Sequence, residues 1–171
     1  LQASFPSSIK INTEINKNTG YILADASQLH QAVMNLCANA RQAIEDGKGV
    51  VTICVDEVEH HYENPIPFLK TDLDYGTYIK ISVEDTGAGI EENALTKIFN
   101  PYFTTKKKGE GTGLGLSVVH GVITRFNGAI TTRSTPGFGT TFTLYFPRHQ
   151  KEAVKVPASN QSLITGEAKV L

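Results

Sequence analysis

Apolar and polar residues follow two spacings along this chain, one typical of strands and one of helices. Segments of alternating polarity or rich in β-branched residues predict strands, and apolar residues three or four apart predict helices. The six predicted strands are Ser8–Ile15, Tyr21–Ala24, Val50–Val58, Thr77–Glu84, Ala129–Ser134 and Thr140–Phe146. The predicted helices run from Asp25 to about Glu45 and over Gly115–Phe126, with a short helix or turn over Glu91–Phe99 and loops over His60–Tyr75 and Asn100–Gly113.

The order of these elements favours an α+β fold. Strands follow one another in hairpin-like pairs, and the sequence Thr-Pro-Gly-Phe-Gly at Thr135–Gly139 has the composition of a tight turn. We therefore expect one sheet covered on one face by helices. A parallel doubly wound sheet is the alternative, and the Thr135–Gly139 turn counts against it.

Composition narrows the classes of function. With 171 residues, 40% of them hydrophobic, the chain can form one globular domain with a real core. A net charge of −1 means that the chain has no overall excess of positive charge to attract nucleic acid or an acidic membrane, so we expect neither partner. Cys37 and Cys54 form no metal or redox motif, which indicates reduced thiols in a cytoplasmic domain.

A glycine-rich stretch, Lys106–Leu116, lies just before the second long helical pattern. Glycine lets backbone N–H groups approach an anion closely, and a helix that begins there adds unpaired N–H donors. A flexible hinge is the alternative interpretation. From Gly109, both the Walker A loop and the dinucleotide fingerprint require glycine at position 114, where this chain has Leu114. Any phosphate site here therefore uses a different motif.

Asn35 and Asn39 lie four residues apart and so share one face of the long helix. An asparagine oxygen there could bind a hydrated Mg²⁺ that also contacts phosphates. The alternative is a pair of exposed polar residues.

Three further stretches carry candidate chemistry. Asp85 ends a strand before Thr86-Gly87-Ala88-Gly89, where its carboxylate could accept a hydrogen bond from an amino group such as that of adenine, or simply form a turn. The aromatic residues of Ile98–Phe103 could hold a loop onto the core or anchor a lid. The hydroxyl of Thr140 could bind a base or water, although strand propensity alone explains a threonine there.

The order of these motifs resembles the ATP-binding catalytic domain of bacterial sensor histidine kinases, from about Ile9 to Pro147. The stretches that resemble the family's asparagine, first glycine, phenylalanine, second glycine and last glycine boxes are Asn35–Ala40, Asp85–Ile90, Ile98–Lys106, Gly109–Leu116 and Gly139–Phe142. The resemblance implies a two-layer α/β sandwich of the Bergerat type, with a mixed, mostly antiparallel sheet. Gyrase, heat-shock chaperone and mismatch-repair ATPases share that fold.

The resemblance also implies ATP and Mg²⁺ as cofactors and assigns roles to residues. Asp85 would bind the adenine amino group, with Thr140 acting through water, and Asn39 would hold Mg²⁺. The catalytic residues would be Asn35 and Lys106, with Lys106 on a lid and reaching the terminal phosphate. The nucleotide-binding residues would be Asn39, Asp85, Gly87, Gly89, Ile90, Phe99, Lys106, Gly109, Gly111, Thr112, Gly113, Leu114, Gly115, Leu116 and Thr140.

Two positions depart from relatives within this superfamily. Gyrase-like ATPases carry a glutamate base one helical turn before the Mg²⁺ asparagine, whereas this chain has Asn35. An amide cannot take a proton from water at neutral pH, so slow hydrolysis is expected. Gln42 stands where many histidine kinases have a lysine, which puts one phosphate contact in doubt.

None of the five histidines has the sequence context of the family's phosphoacceptor. We therefore expect residues 1–148 to be the catalytic domain and the histidine-bearing dimerisation hairpin to lie upstream. Residues 149–171 would be a polar linker, whose end resembles the opening of a receiver domain in a hybrid kinase. The expected function is transfer of the γ-phosphoryl group of ATP to that histidine. The alternatives are an ATPase-type conformational clamp or a catalytically silent interaction module.

Overall fold

A computed structural model describes residues 5–44, 47–66, 73–106 and 111–149. The helices are α1 (Ala26–Ala43), α2 (Glu92–Leu95) and α3 (Gly115–Arg125). The strands are β1 (Ile9–Ile15), β2 (Tyr21–Ile22), β3 (Gly49–His60), β4 (Gly76–Asp85), β5 (Ala129–Thr135) and β6 (Gly139–His149). The predicted elements are thus present, with α1 ending at Ala43 and β2 at Ile22.

The strands form one mixed sheet in the order β1-β3-β4-β6. Along its other edge, β6 pairs with β5 and, at its end, with β2. Only β1 and β3 run parallel among the pairs described, and the others are antiparallel. The predicted α+β fold with a mixed, mostly antiparallel sheet is confirmed, and the doubly wound alternative is excluded.

The first two strands do not pair with each other, although they follow one another closely. β1 pairs with β3, and the Asn16 N–H continues that ladder by donating to the Val55 carbonyl oxygen at 2.9 Å. The chain then crosses to the far edge, where Tyr21 pairs with His149. Which strands pair depends on which edge of the sheet is available. The local sequence of a strand does not encode that choice.

Helices α1 and α3 cover one face of the sheet. Asp25 starts α1 by accepting hydrogen bonds from the N–H groups of Ser27 and Gln28, as its N-cap role predicts. Leu36 and Val119 are fully buried between the helices and the sheet. The core that joins these two layers is built from residues of every long element: Leu36, Cys37, Val51, Val83, Val119, Ile123, Leu144 and Phe146.

A second, small cluster lies on the opposite face of the sheet. Tyr78 and Tyr145 alternate with core-facing residues on β4 and β6, and Ile66 packs against them. In the described part of the chain, no helix is both long and apolar enough to span a bilayer.

Candidate functional site

Helix α1 presents three amides on a single face. Asn35, Asn39 and Gln42 are spaced by four and three residues, so they project from the same side of the helix, and all three line one cavity. Leu36 and Ala40, on the other side of the helix, are buried in the core. Asparagine is a modest helix former. Packing of the apolar side therefore holds these amides in helical positions.

The first turn of α3 lies beside this amide face. Asn35 Nδ2 donates to the carbonyl oxygen of Gly115 at 3.3 Å, and a Cβ at Gly115 would lie 4.0 Å from Asn39 Nδ2. That Nδ2 is buried and has no hydrogen-bond partner in the described structure. A buried amide left unpaired is costly, so this group is suited to a ligand or a bound water.

Asp85 brings a carboxylate into the cavity wall from the end of β4. It is 5% exposed, and it accepts a hydrogen bond from the Gly87 N–H at 2.8 Å. Burial raises the pKa of this carboxyl, and hydrogen bonds from the backbone of Gly87 and Thr140 offset part of that effect. The group is therefore a fixed hydrogen-bond acceptor that is shielded from solvent.

The loop after Asp85 is held against two other elements. The Ala88 N–H donates to the Ala43 carbonyl oxygen at 2.9 Å, at the end of α1. Gly89 has a φ of +74°, and a Cβ there would lie 2.3 Å from the carbonyl oxygen of Thr135. Glycine is required at this position by both the backbone conformation and the close approach to β5.

Thr140 lies directly opposite Asp85 in the β4–β6 register and is also buried. Its Oγ1 is 2.8 Å from Ser134 Oγ, which in turn accepts a hydrogen bond from the Ile90 N–H at 2.8 Å. The two hydroxyls thus connect β5, β6 and the loop after β4. Ser134 lies outside the motifs, and it had no sequence signal beyond a strand position.

The aromatic segment and the glycine-rich segment are joined by their backbones. The Tyr102 N–H donates to the Gly113 carbonyl oxygen at 3.0 Å, and both residues have a φ of +66°. A Cβ at Gly113 would lie 2.4 Å from the carbonyl carbon of Tyr102. Phe103 lines the cavity, whereas Phe99 packs against the core.

The side chain of Lys106 reaches from the segment after the aromatic residues to helix α1. Its Nζ donates a hydrogen bond to Gln42 Oε1 on α1, and its backbone N–H donates to Thr104 Oγ1 at 3.2 Å. A Cβ at Gly111 would lie 3.3 Å from Lys106 Cδ, so the lysine stem passes close to the glycine-rich segment.

These groups surround one cavity of about 1070 Å³. Asp85 and Lys106 carry the only ionisable side chains among the described residues that line it. The predicted site residues in its wall are Asn35, Asn39, Asp85, Gly89, Ile90, Lys106, Gly111, Thr112, Gly113, Gly115, Leu116 and Thr140. One carboxylate, one cation, several amides and glycine backbone thus surround a volume of the size of a small-molecule site.

Three predicted residues lie outside the cavity wall, and a fourth, Gly109, lies outside the described residues. A Cβ at Gly87 would lie 2.6 Å from Ala43, so Gly87 is needed for packing against α1. Phe99 belongs to the core, with its ring centroid 5.6 Å from that of His120. Leu114 occupies the N-cap position of α3.

The cavity wall also contains residues that sequence reasoning did not assign to the site. Most are small or apolar, and such side chains give no chemical signal of their own. They are Ala38, Gln42, Ala43, Ala88, Ile98, Phe103, Thr104, Thr105 and Phe142. Four of them, Ile98, Phe103, Thr104 and Thr105, fall within the predicted phenylalanine box.

Curated proteins with similar sequences are sensor kinases. The chain is 38% identical over 159 residues to the sensor kinase CckA of Brucella abortus, covering 88% of this chain and 16% of that protein. It is 40% identical over 139 residues to the sensor histidine kinase ZraS of Escherichia coli K12, covering 81% of this chain and 26% of that protein. The chain therefore spans only about a sixth to a quarter of the length of these relatives.

Solved structures with the same fold include histidine kinase catalytic domains. The catalytic domain of the histidine kinase ThkA matches with a TM-score of 0.62 and 27% identity, covering 82% of this chain and 81% of that one. Full-length ShkA in complex with AMPPNP matches with a TM-score of 0.63 and 26% identity, covering 85% of this chain and 27% of that one.

The model of one protein family matches residues 24–150, which is most of the chain and includes every predicted motif. That family is described as histidine kinase-, DNA gyrase B- and HSP90-like ATPases. The fold, the cavity and the similar sequences agree with this match. The chain therefore belongs to the family of histidine kinase-, DNA gyrase B- and HSP90-like ATPases.

Proposed function

We propose that this chain is the ATP-binding catalytic domain of a sensor histidine kinase, and that it donates the γ-phosphoryl group of ATP to a histidine on another domain. The observation that carries the proposal is the convergence of Asn39, Asp85 and Gly113 on one cavity. The sensor kinases to which the chain is similar favour this member of the family over its other branches. Phosphoryl transfer depends mainly on positioning and charge neutralisation, which such a cavity can supply.

The nucleotide is oriented by two sets of groups in the cavity wall. The buried Asp85 carboxylate accepts a hydrogen bond from the adenine amino group, and Thr140 contributes through water. Gly111, Gly113 and the N–H groups at the start of α3 bind the phosphates. Lys106 neutralises charge on the terminal phosphate.

Magnesium fits this site as an ion that arrives with the nucleotide. Within residues 5–44, 47–66, 73–106 and 111–149, no group of three histidine, cysteine, aspartate or glutamate side chains could form a separate metal centre. The side chain of Asn39 supplies one neutral oxygen, and phosphate oxygens and water supply the rest, a ligand set that Mg²⁺ accepts. When bound, the ion neutralises phosphate charge.

The acceptor histidine belongs to a partner domain of the parent protein. None of the chain's histidines has the sequence context of the family's phosphoacceptor. The proposed partners are a histidine-bearing dimerisation domain and, downstream, a receiver domain. A domain that uses ATP in this way would work in the cytoplasm.

Calorimetry with Mg-ATP, followed by phosphotransfer to the histidine-bearing hairpin of the parent protein, tests the proposal. We expect saturable binding at one site and formation of phosphohistidine. Asp85→Ala should weaken binding by about 1–3 kcal/mol, because the adenine amino group loses its buried acceptor. Absence of phosphohistidine with nucleotide at saturation would overturn the kinase assignment.

An ATPase-type conformational clamp is the second candidate, and Asn35 argues against it. A hydrolytic member needs a base for water, whereas Asn35 holds the Gly115 carbonyl oxygen through its Nδ2 and cannot accept a proton. Rapid ATP hydrolysis by the chain alone would favour the clamp. Absence of any Mg-ATP binding would instead favour a silent interaction module.

A further inference from the structure

Gln42 makes a contact for which the family assignment gives no reason. Its Oε1 accepts a hydrogen bond from Nζ of Lys106, a residue 64 positions away in the sequence. Both side chains line the cavity. The contact therefore joins α1 directly to the segment that carries the cation.

Gln42 continues the row of amides on α1 toward Lys106 and the glycine-rich segment. Asn35 and Asn39 lie beside Gly115 at the start of α3, and Gln42 is three residues beyond Asn39. At that point, the stem of Lys106 passes close to Gly111. The hydrogen bond to Gln42 thus fixes the ammonium group between α1 and the glycine-rich segment.

The chemistry of the acceptor matters as much as its place. Lys106 carries the only cationic side chain among the described residues of the cavity wall. A carboxylate at position 42 would hold the ammonium but would also cancel its charge and repel phosphates. An amide oxygen accepts the hydrogen bond without cancelling the positive charge.

From this geometry we infer that Gln42 is a positioning residue that aims Lys106 at the terminal phosphate and so favours a nucleoside triphosphate over a diphosphate. The inference depends on the proposed function, because it assumes that ATP occupies this cavity. In this arrangement the charge comes from Lys106 and its orientation comes from Gln42.

Affinities for Mg-ATP and Mg-ADP, measured by calorimetry, test the role. Gln42→Ala should weaken ATP binding roughly 3- to 10-fold, the range of one lost hydrogen bond, and should change ADP binding less than about 2-fold. Gln42→Glu should weaken ATP binding more than Gln42→Ala, because it adds a negative charge. Gln31→Ala, an exposed glutamine on α1 outside the cavity wall, is the matched control and should change neither affinity.

A double-variant cycle separates positioning from a general structural effect. Lys106→Ala should weaken ATP binding roughly 10- to 100-fold, as for a lost hydrogen bond to a charged group. Adding Gln42→Ala to that variant should cost nothing further, since Gln42 acts through Lys106. Additive losses, or equal losses for ATP and ADP, would overturn the role of Gln42. Failure of the unchanged chain to bind Mg-ATP would instead overturn the proposed function.

Discussion

The buried carboxylate of Asp85, for which we propose a role in adenine binding, carries a cost to stability. Asp85 is almost fully buried, and hydrogen bonds from the Gly87 and Thr140 backbone only partly compensate for its lost hydration. Burial therefore raises its pKa from 3.8. Unfavourable burial of this kind persists where function needs it.

Asp85→Asn should raise the melting temperature near neutral pH and at the same time weaken nucleotide binding. Because the pKa of Asp85 is higher in the folded state than in the unfolded state, protonation of Asp85 stabilises the fold. This stabilisation is complete below the unfolded pKa of 3.8 and is lost as the pH rises through the folded pKa. Asparagine does not ionise, so the variant should not lose this stability as the pH rises. Each kcal/mol gained should raise the melting temperature by about 2–4 °C.

Thermal melts of Asp85→Asn and the unchanged chain at several pH values check this expectation. The gain in stability should shrink as pH falls toward 3.8. Asp56→Asn is a control of opposite sign: hydrogen bonds from the Asn16 side chain and the Glu57 N–H lower the pKa of Asp56, so its loss should bring no gain near neutral pH. A constant difference at every pH would show that the charge of Asp85 is not the cause.

Asn39→Ala should abolish most of the Mg²⁺ dependence of ATP binding, because it removes the neutral oxygen proposed for the ion. Calorimetry with and without Mg²⁺ measures that dependence. The control is Asn18→Ala, which removes an exposed asparagine outside the cavity wall. Full retention of the Mg²⁺ effect in Asn39→Ala would exclude the proposed metal contact.

At the scale of elements, the site depends on backbones that approach each other closely. A backbone hydrogen bond between Tyr102 and Gly113 joins the segment 98–106 to the segment that begins at residue 111. Both residues have a left-handed backbone conformation. Such a conformation is uncommon for a non-glycine residue, and it is often kept at functional sites. Tyr102, which is strained in this conformation, thus contacts a glycine that adopts the same conformation without strain.

Gly113→Ala should lower both stability and ATP affinity. The left-handed conformation alone costs a non-glycine residue about 1–2 kcal/mol, and the new Cβ would also collide with Tyr102 at 2.4 Å. Gly137→Ala is the matched control, since its φ is +80° but nothing lies within 4 Å of its Cβ. Chemical denaturation should give the larger loss for Gly113→Ala, and only that variant should bind ATP more weakly. Equal losses in the two variants would mean that the Tyr102 contact contributes nothing.

At the scale of the whole molecule, the sheet and helices bring distant parts of the sequence to one cavity. α1 contributes the amides, the end of β4 contributes Asp85, and β6 contributes Thr140. The start of α3 and the segment around Lys106 complete the wall. A ligand that contacts all of them should stabilise the fold as a unit.

Mg-ATP should therefore raise the melting temperature of the chain. At a concentration 100-fold above Kd, the linkage is about 2.7 kcal/mol, which corresponds to a rise of several degrees. Thermal denaturation followed by circular dichroism measures the shift. Asp85→Ala at the same nucleotide concentration should shift less. An equal shift in both would indicate binding away from the adenine position.

The elements and most of the candidate site could be predicted from sequence because their signals are local. The N-cap at Asp25, the 3.6-residue apolar spacing of α1 and the alternation in β4 need only neighbouring residues. The glycines that must turn or pack closely, such as Gly89 and Gly113, are likewise marked by residue type. These signals identified the motif order on which the family assignment depends.

Contacts between distant segments were decided by the tertiary structure alone. Periodicity could not tell that β1 pairs in parallel with β3, that Phe99 packs into the core, or that Lys106 bonds to Gln42. Each depends on which sheet edge, cavity or side chain becomes available after the core has formed. The sequence thus determined the elements, the motif residues and the family, because these are written in local patterns. Only the tertiary structure decided which of those residues line the same cavity, because long-range packing sets their positions relative to one another.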